Sequence, residues 1–372
     1  MQSFEYVRGE EAEALINKIR NTCFKGDSVN LSEMFSITTN NIASRCILGQ
    51  KFEDENGKSK FGELSSRVMM LFVAFCFGEF FPSLGWIDVL TGIIPSMKAT
   101  FGGLDAFFDQ MIEEDETQKI DDDQPNRLDF VHILLRLQKN SMLDFELTKH
   151  NLKAILMVSL SLTHTHTHTK TSTHACTSKS NVFFFPQFQD MFVAGTDTSS
   201  TVLEWLMEEL IKNPKIMKRA QKEVRRVVSK KSKIDVNNIN RMGYLKCVLK
   251  KKTLRLHPPL PLLVPRETIT SVKIGGYDIP PNTRVVTNAW AIQMDPKVWE
   301  RPKEFLPERF EGNLVDFKGQ DFEFIPFGGE RRGCPGLTFG VASVEYVIAN
   351  ILYSFALTGS CLVIMFKGRT LT

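Results

Sequence analysis

The stretch Phe327-Gly328-Gly329-Glu330-Arg331-Arg332-Gly333-Cys334-Pro335-Gly336 constrains this chain more than any other. Its glycines turn the backbone and let N–H groups approach a neighbour closely. Pro335 suits the first position of a helix, where its missing N–H costs nothing. Apolar residues then recur at Leu337, Val341, Val344, Ile348, Ile351, Leu352 and Phe355 with a helical period. The pattern predicts Cys334 at the N-cap of a long apolar helix. There the macrodipole and free N–H groups favour an anion, so a stabilised thiolate is expected. An isolated cysteine near a helix start is otherwise a small buried hydrophobe, and the flanking residues decide between the two.

A chain of 372 residues, 42% hydrophobic and 24% charged, buries a large core as one big domain or two smaller ones. Forty-six basic and 43 acidic residues leave a net charge of +3, too balanced for a nucleic-acid partner. Seven cysteines lie scattered without paired spacing, which predicts reduced thiols in a reducing compartment. Met1-Gln2-Ser3-Phe4-Glu5 leads directly into a charged helix, so no signal peptide or N-terminal anchor is expected. The apolar run Val68–Phe81, interrupted by Glu79 and closed by Pro82, is too short to span a bilayer. It reads as a core helix, or as a segment dipping into a membrane surface.

Helices are expected over 5–24 and 31–48, the second capped by Asn30 or Ser32, then over 61–80, 97–115, 127–140 and 146–157. A Pro/Gly-punctuated loop is expected over 82–95, and an acidic loop at Asp121-Asp122-Asp123. The texture then breaks. Residues 158–189 include Thr163-His164-Thr165-His166-Thr167-His168-Thr169 and Phe183-Phe184-Phe185-Pro186-Gln187, low in complexity and without periodicity. An ACACAC repeat encodes Thr-His alternation, and a pyrimidine tract before CAG encodes the Phe-rich end, so a retained intron explains both. Its removal joins Met157 to Asp190 and restores one apolar helix. The rival reading is a metal site at His164, His166, His168, His174 and Cys176, for which no second ligand cluster is evident.

Residues 190–212 read as a long helix through Ala194-Gly195-Thr196-Asp197-Thr198-Ser199. Gly, Thr and Asp in mid-helix are poor local chemistry, and broken local rules mark functional sites as well as mere kinks. Residues 213–230 predict a basic amphipathic helix with Lys215, Lys218, Arg219, Lys222, Arg225 and Arg226 on a solvated face. Short strands are expected over 271–287 around Gly275-Gly276 and Pro280-Pro281.

A thiolate at a helix mouth is what a haem iron with a cysteine axial ligand needs. Phe327, then Gly, Arg332, Cys334 and Gly336 at this spacing resemble the haem-binding loop of the cytochrome P450 monooxygenases, the plant microsomal ones in particular. The resemblance extends over roughly residues 1–157 and 190–355, with the strong motifs in 190–340. It implies a mainly α fold with small β-sheets, incomplete at both termini. Residues 1–157 would be an N-terminally truncated helical part, 158–189 an insertion, 190–355 the haem-binding core and 356–372 a divergent tail.

The resemblance implies haem b on Cys334 and insertion of one oxygen atom from O2 into a small apolar organic substrate, of the plant secondary-metabolite kind. Electrons would come from NADPH through a flavin reductase, which the basic helix would face. Thr198 would hold dioxygen and relay protons, Asp197 would feed that relay, and Ala194 and Gly195 would leave room for the diatomic. Arg266 and Arg332 would bind the propionates. The family sits on the cytosolic face of the endoplasmic reticulum membrane; without its anchor this chain is expected there or in the cytosol.

Three departures stand out. The family carries Glu-x-x-Arg before His257-Pro258, the Glu pairing with the position of Arg255 and with the Arg of Pro307-Glu308-Arg309-Phe310. Here Lys252 occupies the Glu position and Lys251 reads as one extra residue, so like charges are expected in one buried site. Glu330 stands where the family has Gly, with a strain of about 1–3 kcal/mol if the backbone there has positive φ. It would also bring a negative charge near the sulfur. After Phe355 the family continues into a strand pair, whereas Ala356–Thr372 reads as unrelated. These departures support a second reading, a non-catalytic product of a mis-spliced or decayed gene that holds no haem; a third is a haem-binding remnant.

Overall fold

The computed structural model describes residues 4–51, 60–72, 74–117, 129–139, 191–229, 233–312, 315–355, 364–366 and 369–371. The expected helix 146–157, the acidic loop and the whole 158–189 segment with its histidines lie outside the described residues. The chain divides into two compact units, residues 1–38 with 198–372, and residues 39–197.

In the first unit, α1 (Glu5–Phe24) packs on a long apolar helix near the C-terminus, α14 (Leu337–Ser354). Val7, Leu15, Ile16 and Ile19 of α1 are buried, as are Val344, Val347, Ile348 and Leu352 of α14. Among the described residues α14 alone is long and apolar enough to cross a membrane, yet over half of it is buried within the protein. Helix α2 (Leu31–Leu48) follows strand β1 (Val29–Asn30), and the Asn30 side chain accepts from the Glu33 N–H at 3.2 Å, the expected cap.

The basic helix is α9 (Pro214–Val228), following α8 (Met191–Lys212). Met217, Ala220, Gln221, Val224 and Val228 are buried at helical spacing, and its cationic residues face solvent as expected. Gln221 Nε2 and Arg225 Nη2 donate to the Phe355 carbonyl at 3.1 and 3.0 Å, closing the C-terminus of α14. Glu223 accepts from the backbone N–H groups of Tyr244 and Leu245 at 2.9 and 2.8 Å. That carboxylate caps the short helix α11 (Gly243–Lys246), placed after α10 (Val236–Asn240). Tyr346 of α14 donates to the Ile234 carbonyl at 2.6 Å, and burial pushes its phenol up to about 12.

Residues Cys247–Thr253 form a π-helix that leads into α12 (Leu254–Leu256). A π-turn is how a helix absorbs one additional residue without rotating its two ends against each other. The surplus suggested by Lys250-Lys251-Lys252 therefore has a local structural outlet. Small antiparallel pairs follow: β2 (Arg266–Glu267) with β5 (Arg284–Val285), and β3 (Val272–Ile274) with β4 (Tyr277–Ile279). Helix α13 (Ala289–Gln293) begins with Asn288 accepting from the Ala291 N–H at 2.9 Å.

The tail carries two short strands. Strands β6 (Ile364–Phe366) and β7 (Arg369–Leu371) form an antiparallel pair, and β6 lies parallel to β1 with Val29 opposite Ile364.

In the second unit, α3 (Lys60–Phe72) packs on α6 (Ile93–Thr117), followed by α7 (Phe130–Lys139). The expected helix 61–80 is broken: a separate turn, α4 (Phe77–Phe80), is capped by Asp88, whose oxygens accept from Phe77 N at 2.8 Å and Gly78 N at 2.7 Å. Asp88 belongs to α5 (Trp86–Leu90), where a loop was expected. A carboxylate eleven residues away cannot be read as a cap from local sequence, which is why both boundaries were missed. No disulfide occurs among the described residues, consistent with the scattered cysteines.

Replacing Glu223 by Ala leaves two N–H groups at the mouth of α11 without an acceptor. We expect a loss of about 1–2 kcal/mol in urea denaturation with an unchanged m value; a loss below ~0.3 kcal/mol contradicts the capping role.

Candidate functional site

The loop that carries Cys334 is fixed from both sides. The Cys334 N–H donates to the Phe327 carbonyl at 2.9 Å, and Gly333 N donates to Glu330 O at 3.0 Å, closing the turn on itself. The Phe327 ring packs at 5.9 Å on Phe317. Gly328 has φ +70°, and Gly319 has φ +87°. A Cβ on Gly319 would lie 2.6 Å from the Gly329 Cα, so two backbones meet where no side chain fits. Gly319 was not singled out in the sequence; its only signal is a lone Gly in the polar run Asp316–Asp321.

Helix α14 begins at Leu337 with Gly336 as its N-cap, so Cys334 lies two residues ahead of the cap. This corrects the expected placement. Pro335 and Gly336 hold the chain in a turn before the helical repeat starts, and Leu337 N donates to Cys334 O at 3.4 Å. The backbone N–H groups of Gly336 and Leu337 nevertheless favour its thiolate. The residue is exposed on one side, yet the protein around the sulfur pushes the thiol pKa up, desolvation outweighing the two N–H groups. The free protein thus holds a thiol rather than the expected stabilised thiolate. The Glu330 carboxylate is not among the groups acting on it.

Glu330 has φ +53°, the left-handed conformation that favours glycine. The strain expected from the sequence is therefore present in the backbone, on the order of 1–2 kcal/mol for a side chain with a Cβ.

Arg266 and Arg332, separated by 66 positions, converge. Burial first, then the charges of Arg266 and Arg331, hold the Arg332 guanidinium below its usual range. No carboxylate is among the groups acting on Arg332, so the pair is suited to accept anionic groups from a ligand. On α8, Ala194, Gly195, Asp197 and Thr198 are half-buried, within the single long helix expected from the sequence. A Cβ on Gly195 would meet no atom outside its own helix within 4 Å. One on Gly340 of α14 would come within 3.7 Å of Ser199 Oγ, the residue after Thr198. A sulfur ligand and two convergent guanidiniums fit a haem with its two propionates.

Beneath the loop lies the scaffold. Arg255 is fully buried, its Nη1 donating to the Gln293 carbonyl at 2.7 Å and its Nη2 to the Pro302 carbonyl. Gln293 returns a bond from Nε2 to the Arg255 carbonyl at 3.0 Å. The guanidinium lies 5.1 Å from the Trp299 ring centroid. Among the described residues no carboxylate pairs with Arg255; burial and then Arg309 bring its pKa down to about 10. The expected clash of like charges is thus visible for Arg255 and Arg309, while the Lys252 side chain lies outside the described residues. Glu308 turns to Arg219 Nη1 at 3.0 Å and the Tyr244 hydroxyl at 3.1 Å. Sequence reasoning missed the pair of Lys250 Nζ with buried Glu345 at 3.0 Å. Its signal was the single acid within the apolar α14.

Glu330→Gly is expected to raise stability by about 1 kcal/mol, whereas Glu330→Ala, which keeps a Cβ at φ +53°, is not; equal gains would remove the backbone explanation. Deleting Lys251 together with Lys252→Glu should stabilise by roughly 3 kcal/mol, by giving Arg255 a carboxylate and the π-turn its α-helical length. Urea midpoints measure both, and an unchanged midpoint for the double variant argues against the pairing.

Comparison with known proteins agrees with this arrangement. The cytochrome P450 family profile matches residues 1–174 and 186–360. A phenylacetaldehyde oxime monooxygenase of Prunus mume is 48% identical over 95% of this chain and 61% of its own length. Cytochrome P450 71A1 of Persea americana is 44% identical over 95% of the chain and 65% of its own length. Desmethylyatein synthase of Sinopodophyllum hexandrum is 40% identical over 95% and 64%. The chain thus spans a little under two thirds of the length of these relatives. The profile breaks at 175–185, inside the low-complexity segment. With a cysteine loop, a pair of anion-ready arginines and a scaffold arginine all in family order, the chain belongs to the cytochrome P450 family, and to its plant branch.

Proposed function

We propose that this chain is a haem-thiolate monooxygenase that inserts one oxygen atom from O2 into a small apolar organic substrate. The observation that supports it most is the convergence at the mouth of α14. The backbone N–H groups of Gly336 and Leu337 favour the charged form of one sulfur there, and Arg332 lies near Arg266 with no carboxylate among the groups acting on it. In this reading Cys334 is the axial ligand. The N–H groups of Gly336 and Leu337 spread the negative charge its sulfur carries when ligated. Arg266 and Arg332 pair with the two propionates, which turns their mutual repulsion into attraction. Phe327, packed on Phe317, holds the loop flat.

Haem b, once bound, supplies the reductive activation of dioxygen, with electrons from NADPH through a flavin reductase. Ala194 and Gly195 leave space beside α8, and the Thr198 hydroxyl holds a proton that Asp197 replenishes. The names of the relatives, a phenylacetaldehyde oxime monooxygenase among them, support a substrate of the aromatic plant secondary-metabolite kind. The same kinship supports the cytosolic face of the endoplasmic reticulum membrane as its place of work. Segment 158–189 is read as an insertion between two halves of one helix.

A second reading is favoured by two observations, Glu330 at φ +53° and Arg255 without a carboxylate. In that reading the chain is a product that folds in part and holds no haem. Reconstitution with haem, followed by the reduced CO difference spectrum, separates the readings. A thiolate-type Soret band that Cys334→Ala abolishes is the expected result. A band of thiol or histidine type identifies a haem-binding remnant, and no band in the parent chain establishes the second reading.

A further inference from the structure

The scaffold around Arg255 carries a site of its own. Its two terminal nitrogens are already spent on the carbonyls of Gln293 and Pro302. A further donor, Nε, is buried and bonded to nothing. Arg309 repeats the pattern: Nη2 donates to the Arg301 carbonyl at 3.1 Å, and its Nε is buried without a partner. A buried N–H left unbonded is costly, the more so on a charged group, so two in one neighbourhood require a reason.

The charges around the pair point the same way. Among the described residues, Arg309 is the only charged group acting on Arg255. Around Arg309 lie Arg301, which repels it, and Glu300 and Glu304, which favour its charged form. Those two acids are shared with Arg301, whose Nε lies 3.5 Å from Glu300 and Nη1 3.2 Å from Glu304. Glu308 is taken by Arg219 and Tyr244. Among the described residues no carboxylate acts on Arg255. A cavity of about 240 Å³ lined by Glu300, Arg301, Leu306, Glu308 and Arg309 opens beside Arg309.

We propose that Arg255 and Arg309 together bind a small monovalent anion, a formate-sized carboxylate or a halide, which accepts from the two Nε–H groups. A single negative charge there replaces repulsion between two guanidiniums by attraction to both and satisfies both unspent donors. Size is the selector, because Arg255 is fully buried and both of its terminal nitrogens already donate to carbonyls. The site is independent of haem and of the residues at the mouth of α14.

The test is the thermal unfolding midpoint of the full chain, without haem, in halide-free buffer at fixed ionic strength. Sodium formate or sodium chloride is exchanged for sodium methanesulfonate, whose anion is too large to enter. Formate is expected to raise the midpoint saturably by ~2–4 °C. A chloride effect of equal size identifies a halide site, and a smaller one a carboxylate site. Arg309→Gln should abolish the increment, while Arg332→Gln, which alters the other cationic pair, should leave it. Should Arg309→Gln fail to fold, Arg309→Lys keeps the charge without the Nε donor and should raise the half-saturating formate concentration at least ~3-fold. The proposal is overturned if neither formate nor chloride exceeds methanesulfonate, if the increment survives both Arg309 variants unchanged, or if Arg332→Gln removes it.

Discussion

The burial of one guanidinium organises the part of this protein that carries the Cys334 loop. Arg255 ties together three backbone stretches, its own turn, α13 through Gln293 and the loop at Pro302. Its flat face lies near Trp299, and Trp299 packs on Phe310 and Phe324 at 5.7 and 6.4 Å. Those rings support the segment that carries Phe317, on which Phe327 and the Cys334 turn rest. The position of the sulfur is therefore set by a relay of packed surfaces that begins at a charge far from it. Such an arrangement is stiff but demanding, since a buried charge is tolerated only while its donors are satisfied.

This explains why the two irregularities in the chain differ in kind. Glu330 sits at the surface of the turn and strains only its own backbone, a cost confined to one residue. The missing acid at Arg255 sits at the start of the relay, where carbonyl oxygens have taken over part of its role. Carbonyl dipoles satisfy hydrogen bonds without cancelling the charge, so the guanidinium stays bonded but electrostatically exposed to Arg309.

Much of this could be read from the sequence where the signal is local. The limits of α1 and α2 and the buried stripe of α9 follow from spacing and residue type, whereas the glycine position at Glu330 was legible through resemblance alone. Legibility failed where the partner is distant or the geometry is subtle. Asp88 reaches back to cap α4, which no helical period reveals. The start of α14 was placed too early because Pro335 suits a turn as well as a first helical position. The sulfur's environment could not be read at all. Nearby N–H groups argue for a thiolate, while the desolvation that outweighs them comes from residues folded around it. The convergence of Arg266 and Arg332 was accessible only through resemblance, since nothing in either segment points to the other.

The π-turn at Cys247–Thr253 changes how an inserted codon should be judged. A helix that widens by one hydrogen-bond step keeps both of its flanks in phase. Lys250 still meets Glu345, and Tyr244 still meets Glu308. The geometric lesion is thereby healed within two turns of backbone. What persists is chemical, a base where an acid would serve. A lineage carrying such a change stands one point substitution, not a frame repair, from a neutral scaffold.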